Sequence, residues 1–545
     1  MAILEKTVGQ IVREQAALHP ETEAYVYPEH GIRKTYREFD QETDRLAKAF
    51  IGIGIEKGEH IAIWSDNKRE WLLSQYATGK MGGVLVTVNT SYQASELEYL
   101  LKQSDATTLI LGEEFKSSNY IEILNTVCPE LKTAEKGSLS SSKLPHFKRV
   151  IVMSKNQHPG IYTWSEFEAF ADRVGDEELE NRFDSMEPDD VINIQYTSGT
   201  TGFPKGVMLT HLNVVNNGKL VGDTMNLTEN DRLCIPVPFF HCFGCVLGTM
   251  AAVTHSTTMV IAEQFEPKRV LQMVQDEKCT GLHGVPTMFI AELNHPDFKS
   301  FDTSTLRTGI MAGSPCPIEV MKKVISEMGA SEITIAYGQT ESSPVITQTR
   351  ADDDIEKRVA TVGKPHAEVE VKIVDPVTNE EVAIGMPGEL CTRGYHIMKG
   401  YYQNEEATKQ AIDQDGWLHT GDIAVEDEDG YIAVTGRIKD MVIRGGENIY
   451  PREIEEFLYQ HPSVQDVQVV GVPDPKYGEE LMAWVILKDG EQMPTEELRN
   501  YCKGKISHHK IPRYIEFTKE YPMTASGKIQ KFKLRELAIE RSQQD

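Results

Sequence analysis

The sequence predicts an α/β protein with a large N-terminal domain of βαβ-type sheets and a small α+β domain towards its C-terminal end. Its 545 residues exceed what one hydrophobic core can organise, so at least two domains are expected. Between about Thr35 and Ala330, helical patterns alternate with short apolar runs such as HIAIWS, TTLILG, VINIQYT and LRTGIMAG. Such alternation predicts βαβ units and parallel sheets covered by helices.

The pattern changes twice beyond these units. After Gly363 come short strands and Gly/Asp turns, as in EVEVKIVD, GELCTRG and GYIAVTG, which predict a small β-barrel region that completes the large domain. From Gly436 a new block begins, with a helix starting near Pro451 and the strands VQDVQVVGV and LMAWVILK. We place the boundary at Lys439, which divides the chain into residues 1–438 and 439–545.

The composition excludes several kinds of partner. A formal net charge of -27 repels nucleic acid and anionic lipid at long range, and a mean hydropathy of -0.37 argues against a membrane-embedded body. No apolar run is long enough to span a bilayer. The N-terminal segment is too acidic for a transit peptide and lacks the apolar core of a signal peptide, so we expect a cytoplasmic protein.

The eight cysteines indicate no disulfide framework in a chain of this length. One spacing is suggestive, because Cys242-Phe-Gly-Cys245 directly follows His241. A closed zinc site needs about four ligands, however, and no second Cys/His pair has matching spacing. We therefore interpret both residues as buried thiols.

The most informative segment is YTSGTTGFPKG, which directly follows the predicted strand DVINIQ. Its glycines let backbone N–H groups approach an anion, its hydroxyls add donors, and its lysine adds a mobile positive charge. A flexible linker has a similar composition, but linkers rarely follow directly on a strand. No G-x-x-x-x-G-K-[ST] can be drawn here, which disfavours a Walker-type NTPase. The residues predicted to bind polyphosphate are Thr197, Ser198, Gly199, Thr200, Thr201, Gly202 and Lys205.

Further motifs follow in a fixed order: AGSPCP from Ala312, YGQTE from Tyr337, WLHTGD from Trp417, GRIKDMVIRGGENIYPREIE from Gly436 and PMTASGKIQK from Pro522. Together with the glycine-rich segment they resemble the signature of the adenylate-forming superfamily, which includes acyl-CoA synthetases, luciferase-like enzymes and peptide-synthetase adenylation domains. The resemblance covers nearly the whole chain. It implies that a carboxylate attacks the α-phosphate of ATP to give acyl-AMP and pyrophosphate, after which a thiol displaces AMP.

The resemblance implies an adenine site. Adenine would lie against the backbone of Gly313, Ser314 and Pro315, with Tyr337 stacked on its face and Gly338 next to it. Taken alone, Tyr337 would be read as a packed core residue, but the motifs in register favour the nucleotide site.

The resemblance also implies the groups that hold the rest of the nucleotide. Thr340 would contact the phosphate, and Glu341 would hold Mg²⁺, which prefers hard oxygen ligands. Asp422 would accept both ribose hydroxyls, with Arg437 beside it.

Lys528 is predicted to carry the adenylation step. By the resemblance, its ammonium would lie between the carboxylate and the α-phosphate, where a contact near 4 Å is of order 4 kcal/mol at a dielectric constant of about 20. That is sizeable beside the roughly 1.36 kcal/mol that separates tenfold rate changes. Lys528 belongs to the small domain and the phosphate segment to the large one, so the domains must close.

The resemblance implies a mobile small domain, which rotates for the thioester step. Lys439 matches the hinge position of the family. Gly445 and Gly446 resemble the loop that lines the pantetheine tunnel of coenzyme A, where missing side chains let a narrow arm pass.

The acyl substrate is expected to bind between PVPFFHCFGCVLGTM, residues 236–250, and GLHGVPTMF, residues 281–289. Both segments are apolar and glycine-rich, and they suit a long pocket with His241 or Phe240 at its mouth. His241 as an ordinary core histidine is the alternative. Runs such as IRGGENIYP and CKGKISHHKIP look closest to the medium-chain acyl-CoA synthetase family member 2 type in a bacterial-like form, which favours medium-chain fatty acids.

The predicted function is therefore that of an ATP-dependent fatty acyl-CoA synthetase that uses ATP, Mg²⁺ and coenzyme A. Nucleic acid is not an expected partner, and a homodimer is one possible assembly. The alternatives are a fatty acyl-AMP ligase that loads a carrier protein, a luciferase-like oxygenase and a non-catalytic nucleotide-binding protein. The last predicts loss of Lys528 or Glu341, and both are present.

Overall fold

The computed structural model describes residues 3–197, 204–445, 447–525 and 527–542. Within these ranges the strands before residue 438 and the strands after it belong to different sheets, so a large and a small α/β unit follow one another along the chain. This confirms the predicted fold class, and the boundary at Lys439 stays a prediction.

The large domain combines helices and short strands in alternation. Its helices are α1 Val8–Leu18, α2 Tyr36–Gly52, α3 Arg69–Met81, α4 Ala94–Gln103, α5 Tyr120–Val127, α6 Trp164–Glu168, α7 Asp176–Asp184, α8 His211–Thr224, α9 Ala251–Thr254, α10 Pro267–Asp276, α11 Pro286–Leu293, α12 Ile318–Glu327, α13 Ile355–Ala360 and α14 Glu405–Ala411. Its strands are β1 Glu23–Tyr27, β2 Ile32–Thr35, β3 His60–Trp64, β4 Val84–Thr87, β5 Thr108–Leu111, β6 Glu114–Phe115, β7 Ser118–Asn119, β8 Arg149–Val152, β9 Tyr162–Thr163, β10 Val191–Thr197, β11 Lys205–Thr210, β12 Arg232–Ile235, β13 Thr258–Ile261, β14 Gly281–Gly284, β15 Thr308–Ala312, β16 Thr334–Gly338, β17 Val345–Gln348, β18 Lys364–Pro365, β19 Val369–Val374, β20 Gly388–Gly394, β21 Gly400–Tyr401, β22 Leu418–Glu426 and β23 Ile432–Arg437.

The small domain contains α15 Pro451–Tyr459, α16 Thr495–Cys502 and α17 Lys531–Ser542, with strands β24 Val442–Arg444, β25 Glu447–Ile449, β26 Val464–Asp474, β27 Gly478–Leu487 and β28 Tyr514–Phe517. The predicted helix from Pro451 and both predicted strands are confirmed. A buried apolar face of α15, including Ile454 and Leu458, packs on the sheet through Val467 and Val469.

Two mainly parallel sheets make up most of the large domain, as the alternation predicts. Their described strands follow the orders β18-β17-β16-β15-β14-β12-β13-β1-β2 and β21-β11-β10-β4-β3-β5-β8-β9. In β4, β5 and β13 every residue is buried, as expected for strands covered by helices on both faces. A third sheet, β19-β20-β22-β23, is antiparallel throughout and corresponds to the predicted small β region.

Strand β11 runs antiparallel to β10, in a sheet whose other large strands are mostly parallel. Thr197 at the end of β10 pairs directly with Lys205 at the start of β11. A parallel return needs a crossover of about a dozen residues or more, and the connection here is far shorter. Strands β10 and β11 are therefore the two arms of a hairpin, paired as far as Thr197 and Lys205.

Helix starts in the large domain follow local capping chemistry. At α2 the Thr35 hydroxyl accepts a hydrogen bond from the Glu38 N–H at 3.3 Å, and the Glu38 carboxylate accepts one from the Thr35 N–H at 2.9 Å. Thr210 and Asn213 form the same reciprocal pair at α8. These pairs satisfy N–H groups that the first turn of a helix leaves without partners.

Two further sequence predictions can be checked. All eight cysteines are free and buried, which confirms the interpretation of Cys242 and Cys245. None of the described helices combines the length and the apolar character needed to cross a bilayer.

The small domain contacts the large one through polar groups. Arg452 donates from Nη1 to the carbonyl of Val434 at 2.7 Å. The Oε2 atom of Glu456 lies 3.5 Å from the N–H of Ile318, the first residue of α12. A carboxylate at a helix N-terminus is favoured by the helix dipole, so this contact orients α15 on α12.

A buried ammonium ties α2 to α3. The side chain of Lys80 is fully buried, and its Nζ lies 2.5 Å from Asp40 Oδ1 and 2.6 Å from Asp44 Oδ1. We expect Lys80→Met to lower the free energy of unfolding by about 1–3 kcal/mol, because two charge-assisted hydrogen bonds are lost. Urea denaturation would measure the change.

Lys48→Met is the matched control, since Lys48 lies on α2 and pairs with Asp176, whose side chain is 94% exposed. Exposed pairs contribute at most about 1 kcal/mol. Equal destabilisation by the two substitutions would contradict a special role for the buried pair.

Candidate active site

Lys528 reaches the large domain from a tight turn of the small one. The Lys528 N–H donates to the Thr524 hydroxyl at 3.0 Å, and the Thr524 N–H donates to the Lys528 carbonyl at 2.7 Å. The neighbouring carbonyl of Gly527 accepts a hydrogen bond at 3.0 Å from the hydroxyl of Thr287, at the start of α11. Hydrogen bonds thus connect Lys528 to Thr524 within the small domain and Gly527 to Thr287 of the large one.

The Lys528 side chain passes over Gly313, which follows β15. A Cβ at Gly313 would lie 3.2 Å from Lys528 Cε, and Gly313 has φ +92°, a conformation that other residues rarely adopt. Glycine is therefore required here by both backbone conformation and the lysine stem. Ser314 and Pro315 follow in the turn that leads to α12.

The Lys528 ammonium contacts the ring of His241. Its Nζ lies 3.2 Å from His241 Nε2, while His241 Nδ1 accepts a hydrogen bond from the N–H of Phe243 at 3.1 Å. Because Nδ1 accepts, the hydrogen of the neutral ring lies on Nε2 and points at Lys528. Burial, and then the charge of Lys528, lower the pKa of His241 well below its usual range.

Two hydrogen-bond donors face each other here unless Lys528 is neutral. Burial, reinforced by Arg437, lowers the pKa of Lys528 to about 8, so the uncharged amine is accessible near neutral pH. An anion that enters beside Nζ and Nε2 and separates them would accept from both groups and favour the charged form of Lys528. The pair is therefore suited to receive a carboxylate.

Asp422 organises the predicted nucleoside side of the site. Its Oδ2 accepts a hydrogen bond at 2.7 Å from the Tyr337 hydroxyl, and its Oδ1 lies 3.1 Å from Arg437 Nε. Asp422 on β22 is the register partner of Arg437 on β23. Burial raises the pKa of Asp422, and Arg437 opposes that shift. Three residues from separate motifs thus form one connected group.

The turn before Asp422 is fixed by residues that the sequence analysis did not select. Gly421, at φ +71°, donates its N–H to Glu389 Oε1 at 2.9 Å. His419 Nδ1 lies 2.9 Å from the other oxygen of Glu389. The GELCTRG segment therefore positions the WLHTGD motif.

Glu341 lies in the short turn Thr340–Ser342 that follows β16. Its Oε1 accepts a hydrogen bond from the Tyr401 hydroxyl at 2.7 Å, and Lys205 Nζ lies 4.2 Å from the centroid of the same ring. A carboxylate held by one oxygen presents the other, Oε2, as the hard ligand that Mg²⁺ prefers. The donor set at Glu341 thus fits the predicted cation.

Gly338, between Tyr337 and this turn, is sterically required. A Cβ there would lie 1.8 Å from the carbonyl oxygen of Pro344. The close backbone approach brings the end of β16 against the following segment.

The two segments predicted to bind the acyl group lie in contact. Residues 243–250 form a π-helical segment, and the ring of Phe243 lies 5.4 Å from that of His283 on β14. His283 Nε2 lies 3.0 Å from the carbonyl of Leu247. Gln75 on α3 donates to the carbonyl of Cys245 at 2.7 Å, which supports the irregular turn.

Of the other predicted residues, Gly445 lies in the small domain, Lys439 lies at its start, and six lie outside the described residues. Gly445 is exposed in the small domain and donates its N–H to the carbonyl of Tyr477 at 2.8 Å. Lys439 lies exposed in the turn Ile438–Asp440 between the last large-domain strand and β24. Desolvation by the groups around its ammonium, and then the charge of Arg437, lower the pKa of Lys439. The predicted residues that lie outside the described residues are Ser198, Gly199, Thr200, Thr201, Gly202 and Gly446.

Sequence reasoning missed Tyr401, Thr287 and Glu389. Tyr401 stands in the pair Tyr401-Tyr402 after a glycine, and nothing local distinguishes the two rings. Thr287 lies inside a segment that was assigned to the acyl pocket. Glu389 was read only as part of a β-strand.

Comparisons with known proteins identify the family. Residues 12–402 match the AMP-binding enzyme family, and residues 453–528 match the AMP-binding enzyme C-terminal domain. YngI of Bacillus subtilis (strain 168), named as a candidate acyl-CoA synthetase, is 60% identical over 99% of this chain and 98% of its own. The mitochondrial medium-chain acyl-CoA ligase ACSF2 of Danio rerio is 44% identical over 97% of this chain and 88% of its own.

A solved structure shows the same fold over the full length. The anthranilate CoA ligase AuaEII, in complex with anthranoyl-AMP, has a TM-score of 0.85 and 26% sequence identity, covering 99% of each chain. With both family matches in order and relatives aligned nearly end to end, the chain belongs to the AMP-binding enzyme family of the adenylate-forming superfamily.

Proposed function

We propose that this protein is an AMP-forming acyl-CoA synthetase that converts a fatty acid, ATP and coenzyme A into acyl-CoA, AMP and diphosphate. The observation that carries the proposal is the approach of Lys528 from the small domain to His241 in the large one, at 3.2 Å. This pair offers two hydrogen-bond donors to one carboxylate, next to the group formed by Tyr337, Asp422 and Arg437.

In the first step the carboxylate would attack the α-phosphate of ATP. Both reactants are anionic, so their approach requires positive charge that is already in place. Lys528 supplies that charge, and His241 Nε2–H orients the carboxylate. Asp422 would hold the ribose hydroxyls, and the exposed backbone after β15 would border the adenine.

The polyphosphate would lie along the hairpin between β10 and β11. Thr197 and Lys205 border it, and the glycine-rich residues between them would supply further donors. Glu341 would hold Mg²⁺, whose charge would offset that of the phosphates when it is bound. Attack of the carboxylate at the α-phosphate breaks the bond to the β-phosphate oxygen, and diphosphate is the leaving group.

The acid is proposed to be a medium-chain fatty acid. The π-helical segment after His241 and the β14–α11 segment are buried and mostly apolar, which suits an alkyl chain. The name of the Danio rerio relative supports the same chain length.

For the second step we propose that the small domain turns about Lys439. The turn would carry Lys528 away and bring Gly445 and Gly446 to the acyl-adenylate, where the pantetheine arm of coenzyme A enters. The exposed position of Gly445 in the present arrangement supports the need for such a motion. A cytoplasmic location and a homodimeric assembly stay predictions.

The central prediction concerns Lys528→Ala. We expect diphosphate release from ATP and Mg²⁺ to be greatest with acids of medium chain length across a C2 to C18 panel, and to fall by at least about a hundredfold in the variant. A coupled diphosphate assay with and without coenzyme A would measure both. Lys519→Ala, an exposed lysine of the same domain, is the matched control.

The outcomes separate the competing functions. Acyl-AMP that accumulates whether or not coenzyme A is present would favour a ligase that loads a carrier protein. Oxygen-dependent light or CO₂ would favour a luciferase-like oxygenase. Absence of diphosphate with every acid would overturn the fatty-acid assignment.

The lowered pKa of Lys528 predicts a pH dependence. The protonated form is required, and the free enzyme loses that proton as pH rises through about 8. We expect kcat/KM for the adenylation step to fall about tenfold per pH unit above that value, because kcat/KM reports groups of the free enzyme. Lys528→Arg should be slower but flat over the same range, since a guanidinium stays charged. Parallel profiles for the two proteins would contradict this assignment.

The hinge assignment predicts a separation of the two steps. Proline fixes φ, so Lys439→Pro should restrict rotation of the small domain. We expect acyl-AMP formation to be retained within a few-fold while acyl transfer to coenzyme A falls by more than about tenfold. Single-turnover assays of each half-reaction would test this, and unchanged rates for both would refute the hinge at Lys439.

A further inference from the structure

Tyr401 lies between two charged groups of the proposed polyphosphate site. Its hydroxyl donates to Glu341 Oε1 at 2.7 Å, and the ammonium of Lys205 lies over its ring face, 4.2 Å from the centroid. Tyr401 is 5% exposed. One buried side chain thus contacts both the carboxylate proposed to hold the cation and the lysine proposed to hold phosphate.

The backbone around Tyr401 is hydrogen-bonded to the strand that contains Lys205 and to the turn that contains Glu341. In the antiparallel pair of β21 with β11, Tyr401 is the register partner of Val207. The Met398 N–H donates to the Glu341 carbonyl at 2.9 Å, and the Tyr401 N–H donates to the Thr408 hydroxyl at 2.9 Å. The position of Tyr401 is therefore set by the hairpin strand on one side and the Glu341 turn on the other.

The chemistry of the ring explains why these contacts matter. An ionised carboxylate only accepts hydrogen bonds, so the phenol must donate its single hydrogen to Glu341. The ring face attracts the ammonium through its quadrupole. Glu341 lies at the hydroxyl tip and Lys205 over the face, so the ring contacts two opposite charges on different sides.

We propose that Tyr401 is a positioning residue that orients Glu341 towards the divalent cation and Lys205 towards the phosphates of one metal–triphosphate. This inference rests on the proposed function, since it assumes that ATP binds along the hairpin. Tyr401 itself would touch neither the acid nor coenzyme A. Its contribution should appear as affinity for the cation in the nucleotide complex and not as a change in acid selectivity.

The adjacent Tyr402 offers a matched control. Its hydroxyl donates to Asp105 Oδ2 at 3.0 Å, and its ring packs edge-on against His60 with centroids 4.9 Å apart. Its side chain is therefore directed away from Glu341. Tyr402→Phe removes the same atom from the next residue of the same segment.

The experiment measures Mn²⁺ binding by electron paramagnetic resonance in the presence of α,β-methylene-ATP, which the protein cannot turn over. We expect Tyr401→Phe to weaken Mn²⁺ binding about tenfold, the effect of losing one hydrogen bond to a charged group. Tyr402→Phe should match the wild type. Affinity for the analogue without metal should be unchanged in Tyr401→Phe and reduced in Tyr401→Leu, which also removes the ring beneath Lys205.

Steady-state kinetics give a second readout. For Tyr401→Phe the Mg²⁺ concentration for half-maximal diphosphate release should rise about tenfold, while kcat at saturating Mg²⁺ stays within about threefold. Thermal melts of the variants would show whether the fold is kept.

Equal Mn²⁺ affinity in Tyr401→Phe and Tyr402→Phe would overturn the proposal. The proposal would also be overturned if Tyr401→Phe lost as much affinity for the metal-free analogue as for Mn²⁺, because that would show a purely structural role. The Mn²⁺ measurement needs no acid or coenzyme A. A wild-type protein that binds Mn²⁺ with the analogue but releases no diphosphate with any acid would refute the proposed function and leave this inference standing.

Discussion

The ammonium of Lys528 belongs to the small domain but lies buried against His241 of the large one. Removing it from water is unfavourable, and this is why burial lowers its pKa. The Thr524 turn, the Thr287 hydroxyl and the open backbone at Gly313 all serve to hold it there. The proposed centre consequently needs both domains in contact, because Lys528 comes from one and His241 from the other.

The elements of the fold could largely be predicted from sequence, because hydrophobic patterns report local burial. The runs HIAIWS, TTLILG and LRTGIMAG coincide with β3, β5 and β15. Hydrophobic patterns could not predict whether neighbouring strands pair parallel or antiparallel. For β11 it follows from the length of a connection and not from the composition of the strand, and VMLTHLNVV is divided between a strand and α8.

The site was predictable where a motif carries it and was missed where a contact is formed between distant segments. Tyr337, Asp422 and Arg437 come from three motifs, and the structure joins them by hydrogen bonds. The neighbouring Tyr401 and Tyr402 have the same sequence signal, but only the register with β11 decides which ring faces Glu341. No property of a single segment reports such a register.

The contact of Glu456 with the first turn of α12 has a consequence for how the domains respond to their medium. It pairs a carboxylate with a helix terminus across the domain boundary, and such an interaction is weakened by dissolved ions. Added salt should therefore weaken this contact between the domains, while the apolar interior of each domain is unaffected. Ionic strength therefore acts on the contact between the domains and not on their interiors.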